Sequence, residues 1–317
     1  MFLLLSLISG LIETGTVIFA LRHFGPETAL LAAILYQIGN LVPFPLRLSK
    51  LTVFILAFAS GTLMVIGVFF PIAVIFAIPC MSASLQSIRG EFKKHSPKMQ
   101  KRIFRTIGFL LGFIFTPVIG IISATIIVIY SLISNAYSSK TIVTLPKFNK
   151  LHLVMIFHQM HYFVYCYIVM IVAYQYGGAL FAAGLFFAGW ITYVIAPILY
   201  RNSDNYKKIF LFGHLLLVVL LVSMFFIQSL PAMAFLWIMT GFGGTTEFCI
   251  GRLAKKYDLF NEVNHNCAEN YGHILGVLVC LFAFVLTNSL YLPLLLSAMF
   301  ASCAMVTMIL FLKKVSL

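Results

Sequence analysis

Glu13 is a carboxylate in the middle of an apolar run, Phe2 to Ala20, and is followed by Thr14, Gly15 and Thr16. A charge at mid-bilayer costs at least ~2.5 kcal/mol on insertion scales, so the group needs a partner, a cavity or a proton. Two chemistries remain open: a proton carrier facing a cavity, or a neutral acid held by an interhelical hydrogen bond. A later run holds His158, His161, Tyr162 and Tyr165. Spacings of three, four and seven put His158, His161 and Tyr165 on one helical face. Rings so placed can handle a substrate or a proton, pack as satisfied aromatics, or ligate a metal. No Asp or Glu in the same helix completes a metal shell, although Cys166 is adjacent, so no metal and no cofactor is expected beyond a proton gradient. Arg89, Arg105, Glu247, Arg252 and Glu269 lie towards the ends of apolar runs, which suggests a cytoplasmic gate whose ion pairs form on closure. Static pairing within one half is the alternative, and Arg89 and Arg252 could also attract an anionic substrate. Gln37, Asn40, Gln86 and His214 read as interhelical hydrogen bonds worth ~0.6–2 kcal/mol each.

The chain that must position these groups has 317 residues, 62% hydrophobic and 9% charged, with mean hydropathy +1.05. A soluble domain needs roughly 25% charged side chains to cover its surface. Soluble enzymes, disordered tails and disulfide scaffolds are therefore excluded. The net charge of +13 sits between apolar runs, where it orients a membrane protein and does not mark a nucleic-acid partner. Six cysteines show no ligand spacing and read as small apolar fillers. Phe2 to Ala20 has neither a basic stretch before it nor a cleavage site after it, so it is expected to remain as a span.

Divided at Pro, Gly pairs and charge clusters, the chain gives twelve apolar segments: about 2–21, 28–46, 51–69, 71–89, 103–119, 120–139, 152–175, 179–200, 209–228, 231–251, 268–287 and 291–312. With the N-terminus cytoplasmic, all basic residues but Arg22, 20 of 21, fall on the inner side. An even number of spans is required between the clusters, which makes 103–139 two short crossings. Both termini are then cytoplasmic, in a cell (inner) membrane.

The halves repeat. His23-Phe24-Gly25, then Ala29-Leu30-Leu31-Ala32-Ala33, then Arg47 parallels Gln175-Tyr176-Gly177, Ala179-Leu180-Phe181-Ala182-Ala183 and Arg201. Gly108-x-x-x-Gly112 parallels Gly272-x-x-x-Gly276, and Tyr165 falls at the repeat position of Glu13, Glu269 at that of Arg105. An all-α polytopic membrane protein follows, built as two parallel six-helix repeats: an N-terminal bundle 1–139, a cytoplasmic linker 140–150 and a C-terminal bundle 151–317.

These features resemble the major facilitator superfamily. Ser9-Gly10-Leu11-Ile12-Glu13 through Arg47 is similar to its first two helices, and Tyr200 to Lys208 to a degenerate form of its basic loop motif. Gly112-x-x-x-Thr116-Pro117-x-x-Gly120 resembles the helix 5 motif of the family's antiporters, with Thr116 where a Gly is usual. The resemblance implies a monomeric secondary transporter of a small organic molecule, in which two halves rock about a central site by alternating access. Helices 1 and 7 line the cavity in that family, so it implies a substrate or proton site at Glu13, His158, His161, Tyr162 and Tyr165. The helix 5 motif leans to export, and uptake of a nutrient or metallophore stays open. An integral-membrane enzyme lacks residues to carry it: the chain has only Asp204 and Asp258, and no HExxH, GxSxG or P-loop pattern. A scaffold without transport would need neither Glu13 nor the helix 7 face.

Overall fold

The computed structural model describes residues 2–92, 98–133, 141–199 and 205–315, and these are almost wholly helical. The chain divides into two compact units, Met1–Leu145 and Pro146–Leu317. The first holds α1 (Phe2–Phe24), α2 (Pro26–Leu41), α3 (Lys50–Gly67), α4 (Ile72–Phe92), α5 (Lys98–Leu111) and α6 (Pro117–Ile133). The second holds α7 (Lys150–Leu199), α8 (Tyr206–Phe226), α9 (Leu230–Thr240), α10 (Thr245–Lys256), α11 (Glu262–Thr287) and α12 (Leu292–Val315). Eight helical stretches among the described residues are long and apolar enough to cross a membrane. Large side chains stand exposed on them, such as Leu180 at 88%, Leu286 at 81% and Phe76 at 62%. Surfaces of that kind are stable against lipid and not against water, so the chain is an integral membrane protein.

Backbone chemistry sets the helix ends. Gly25 has φ 94 between α1 and α2, a conformation only glycine adopts without strain, and Pro26 then fills the first turn of α2, where no N–H partner is needed. The second unit makes its corresponding turn at Gly178, φ 72, which breaks α7 into two arms. The repeat aligns Gly25 with Gly177, so the turn has shifted by one residue between halves. Ser49, Asn205 and Asn261 cap α3, α8 and α11 by accepting from the backbone N–H of Thr52, Lys208 and Asn264.

The helix expected over 103–119 has other bounds. α5 ends at Leu111, a single tight turn covers Gly112–Ile114, and α6 starts at Pro117. Pro117 lacks an N–H and forces Thr116 out of helical geometry, so the motif from Gly112 to Gly120 is a junction between helices and not the interior of one. The stretch 231–251 is likewise α9 and α10 joined by a tight turn at Gly241–Gly244. A short antiparallel pair joins Leu46–Arg47 to Ile142–Val143, which ties the start of the expected linker to the first unit.

Close helix contacts recur in both units at the matched glycines. A Cβ on Gly108 would collide with the Leu7 carbonyl of α1, and one on Gly112 would come within 2.7 Å of Thr14 Cβ. On α11, a Cβ at Gly272 would meet the Ile156 carbonyl of α7 and one at Gly276 the Met160 carbonyl. The small residues let two backbones approach, and here they locate the α1–α5 and α7–α11 contacts.

Candidate functional site

In the first unit, Glu13 is 4% exposed on α1 and takes a 2.7 Å bond from Arg105 Nη2 on α5. The Gly108 and Gly112 contacts hold the two helices close enough for this. The guanidinium side chain is 47% exposed, so the pair has one buried and one wet end. One turn earlier on α1, Ser9 Oγ accepts from Arg89 Nη1 at 2.8 Å, and Arg89 also donates to Gln86 Oε1 at 3.3 Å. Tyr36 Oη donates to the Ser9 carbonyl at 3.2 Å. Ser82 Oγ lies 2.9 Å from Asn40 Oδ1 and 2.8 Å from the Tyr36 carbonyl, while Asn40 Nδ2 donates to Gln37 Oε1. The polar residues of α1, α2, α4 and α5 thus form a chain of contacts through the first unit. Of the residues expected to bond between helices, Asn40 does so to Ser82 of α4, whereas the bonds of Gln37 to Asn40 and of Gln86 to Arg89 stay within α2 and α4.

In the second unit the ring nitrogens of three histidines meet. His158 Nδ1 lies 3.0 Å from His161 Nε2 and 3.2 Å from His214 Nε2, and the last two lie 3.3 Å apart. The three are 3%, 0% and 0% exposed. His214 Nδ1 donates to the Phe210 carbonyl at 3.0 Å, which fixes its tautomer and leaves Nε2 with a lone pair. Tyr165 stacks on His161 with centroids 6.0 Å apart, and its far side meets Trp237 edge-on at 5.7 Å. Tyr162 is half-buried, edge-on to Tyr165 at 5.6 Å. Ser297 of α12 donates to the His161 carbonyl at 2.7 Å, fixing this part of α7. Nearby on α7, Gln159 Oε1 pairs with His273 Nε2 of α11 at 3.0 Å, and the His273 ring packs on Phe163 at 3.5 Å. Sequence reasoning missed His273 and Gln159. The adjacent Gly272, which marks the close contact of α11 with α7, was the signal for them.

The expectation of no metal considered donors on the helix of His158 and His161 alone, whereas a third imidazole, His214, comes from α8. Of the residues expected to form a gate, Arg89 and Arg105 lie in the first unit and Glu247, Arg252 and Glu269 in the second. Arg105 is committed to Glu13 and Arg89 to Ser9 and Gln86. Arg252 is exposed and lies over the Phe248 ring at 4.9 Å, and Glu269 is half-buried at the inner end of α11. The Glu247 side chain and most of the basic motif, 200–204, lie outside the described residues.

The chain has the major facilitator fold. Its whole length superposes on a nucleoside transporter, NupG, with TM-score 0.64 and 13% identity, 98% of each chain being covered. The E. coli fucose:proton symporter FucP aligns with TM-score 0.53 and 11% identity over 97% of this chain and 96% of that one. No protein-family model and no curated protein sequence matches.

Proposed function

We propose that the protein is a secondary active transporter of a small organic solute, working by alternating access and coupled to protons through Glu13. The observation that carries this is the buried Glu13 carboxylate bonded to Arg105 inside a chain whose full length follows a carrier fold. A structural ion pair buried for stability alone is a weak device, because its desolvation cost offsets its Coulomb gain. A carboxylate that takes up a proton instead loses its hold on the guanidinium, so protonation and the freedom of Arg105 are linked. That linkage is the elementary step of proton coupling.

Twelve crossings, cytoplasmic termini, an inner-membrane location and a monomer complete the reading, on the strength of the basic-residue distribution. Uptake is favoured over export. The motif that leaned to export is a proline junction with a packing role of its own: Gly112 seats against α1 and Gly120 against Met64 of α3. The carriers of like fold include a nucleoside transporter and a proton symporter, so nucleosides and hexoses head the list of solutes to try.

The test is reconstitution in liposomes with an imposed pH gradient and a solute panel. Wild type should accumulate one solute class in a gradient-dependent manner, and Glu13→Gln should retain exchange of that solute but lose accumulation. Gradient-driven accumulation at the full rate in Glu13→Gln would remove Glu13 from the coupling.

A further inference from the structure

We propose that His158, His161 and His214 form a binding site for one divalent transition-metal ion of borderline softness, such as Zn²⁺ or Co²⁺, inside the second unit. Three nitrogens mutually 3.0–3.3 Å apart present a problem that hydrogen bonding does not solve. Each nitrogen facing the centre either bears a proton or a lone pair. With three atoms and two states, two of them must be alike, so at least one edge of the triangle sets proton against proton or lone pair against lone pair. A cation that accepts all three lone pairs removes the conflict.

The dimensions suit such an ion. A tetrahedral site with metal–nitrogen bonds of ~2.0–2.1 Å holds its ligands about 3.3–3.4 Å apart, a slight widening of the triangle observed. His214 already has the arrangement of a ligand, with Nδ1 tied to the Phe210 carbonyl and Nε2 directed to the other rings. His161 Nδ1 is buried with no hydrogen-bond partner, so outer-side bonding does not account for where that ring is placed. The helices deliver the donors to one depth. His158 and His214 each lie eight residues beyond the first residue of their helices, Lys150 and Tyr206, or ~12 Å along. His161 follows His158 on the same face. Imidazole selects against Mg²⁺ and Ca²⁺, which take oxygen ligands, and three protein donors leave a fourth position for water or a further ligand.

The test uses the full chain in detergent, stripped with a chelator and titrated with Co²⁺. Wild type should bind one Co²⁺ per chain, with the visible absorption of a low-coordinate ion. His158→Ala and His214→Ala should each weaken binding by roughly 100-fold. His152→Ala should bind as wild type does, because that histidine lies on the same helix but turns its Nδ1 to the Asn149 N–H. X-ray absorption on the wild-type complex needs no variant to fold, and three imidazole scatterers are expected. Absence of the cobalt band, fewer than three imidazoles, or undiminished binding in His214→Ala would overturn the site. Two sources of the ion are separated by further measurements. A resident ion stays bound through purification at one per chain, and a transported ion appears inside vesicles loaded with a zinc-sensitive dye. The solute assay with Glu13→Gln addresses a different unit, so its failure leaves the metal site standing.

Discussion

α1 and the first arm of α7 occupy equivalent places in the two units, yet they bury polarity by opposite means. Each packs against a helix carrying the same Gly-x-x-x-Gly pattern, α5 in one case and α11 in the other. Ser9 and Glu13 of α1 correspond, at the repeat offset, to His161 and Tyr165 of α7. In the first unit a carboxylate is balanced by a guanidinium, and a second arginine leans on Ser9. In the second, the position of Glu13 holds a phenol stacked on an imidazole, and polarity gathers in rings. The two units share this packing pattern and differ in the chemistry on it. A residue that matters only for packing should have a similar twin, whereas the chemically active ones should not. Glu13 and Arg105 pass that test, since their counterparts Tyr165 and Glu269 do not form an ion pair.

The comparison breaks most severely at Arg105. Arg105→Gln leaves the 4%-exposed Glu13 carboxylate without its counter-charge, which should destabilise the protein by about 3 kcal/mol in thermal or denaturant unfolding in detergent. Adding Glu13→Gln should restore most of the loss, because two neutral amides can bond to each other. In the second unit, Tyr165→Phe removes one hydroxyl bonded to Thr240 and should cost about 1 kcal/mol. Equal losses for Arg105→Gln and Tyr165→Phe would mean that the two units do not differ in the way described.

Packing should behave in the opposite sense, with matched positions giving matched effects. Gly108→Ala and Gly272→Ala each drive a methyl into the backbone of the facing helix and should each cost about 2 kcal/mol. Gly184→Ala meets nothing within 4 Å and should be neutral or slightly stabilising, through helix propensity alone. A neutral result at one of the matched pair would show that the repeat does not extend to the helix contacts.

Much of this was legible in the sequence because membrane insertion writes directly into composition. The spans, the charge clusters and the paired glycine patterns are all local strings, and the helix positions follow from them. Glu13 and the His158–His161 face stood out because ionisable groups are costly in an apolar run. The partners were not legible. Arg105 is 92 residues from Glu13 and His214 is 53 residues from His161, and helical periodicity is silent about which face of another helix arrives. Arg105 and Glu269 sit at equivalent positions of a repeat, which suggested that they meet. Symmetry relates places and does not by itself name a partner, and the bond from Arg105 to Glu13 lies within one unit. The motif from Gly112 to Gly120 was placed in one helix, whereas Pro117 begins the next one.

A further modest effect concerns Arg22, the basic residue that charge placement did not explain. The two units end their fifth helix differently. α11 stops at Asn288, which adopts the left-handed conformation at φ 52 and returns its N–H to the Phe284 carbonyl at 2.7 Å. The first unit stops at Pro117, and the kink leaves the Phe115 carbonyl out of the helical ladder, since the Ile119 N–H goes to Thr116 Oγ1 and the Gly120 N–H to the Thr116 carbonyl. Phe115 is fully buried, so its carbonyl needs a donor, and Arg22 Nη2 supplies one at 2.9 Å. Arg22 is therefore a cap for a broken helix, which explains a cation on the side where cations are otherwise missing. Arg22→Gln should cost about 1 kcal/mol, less than a fully buried charged bond because the side chain is largely solvated, and Arg22→Lys should recover part of it. Neither change should alter labelling of a cysteine placed at Glu27. If Arg22→Gln moved that label to the other face of the membrane, Arg22 would be a topology signal, and the Phe115 carbonyl would have to be satisfied by another group.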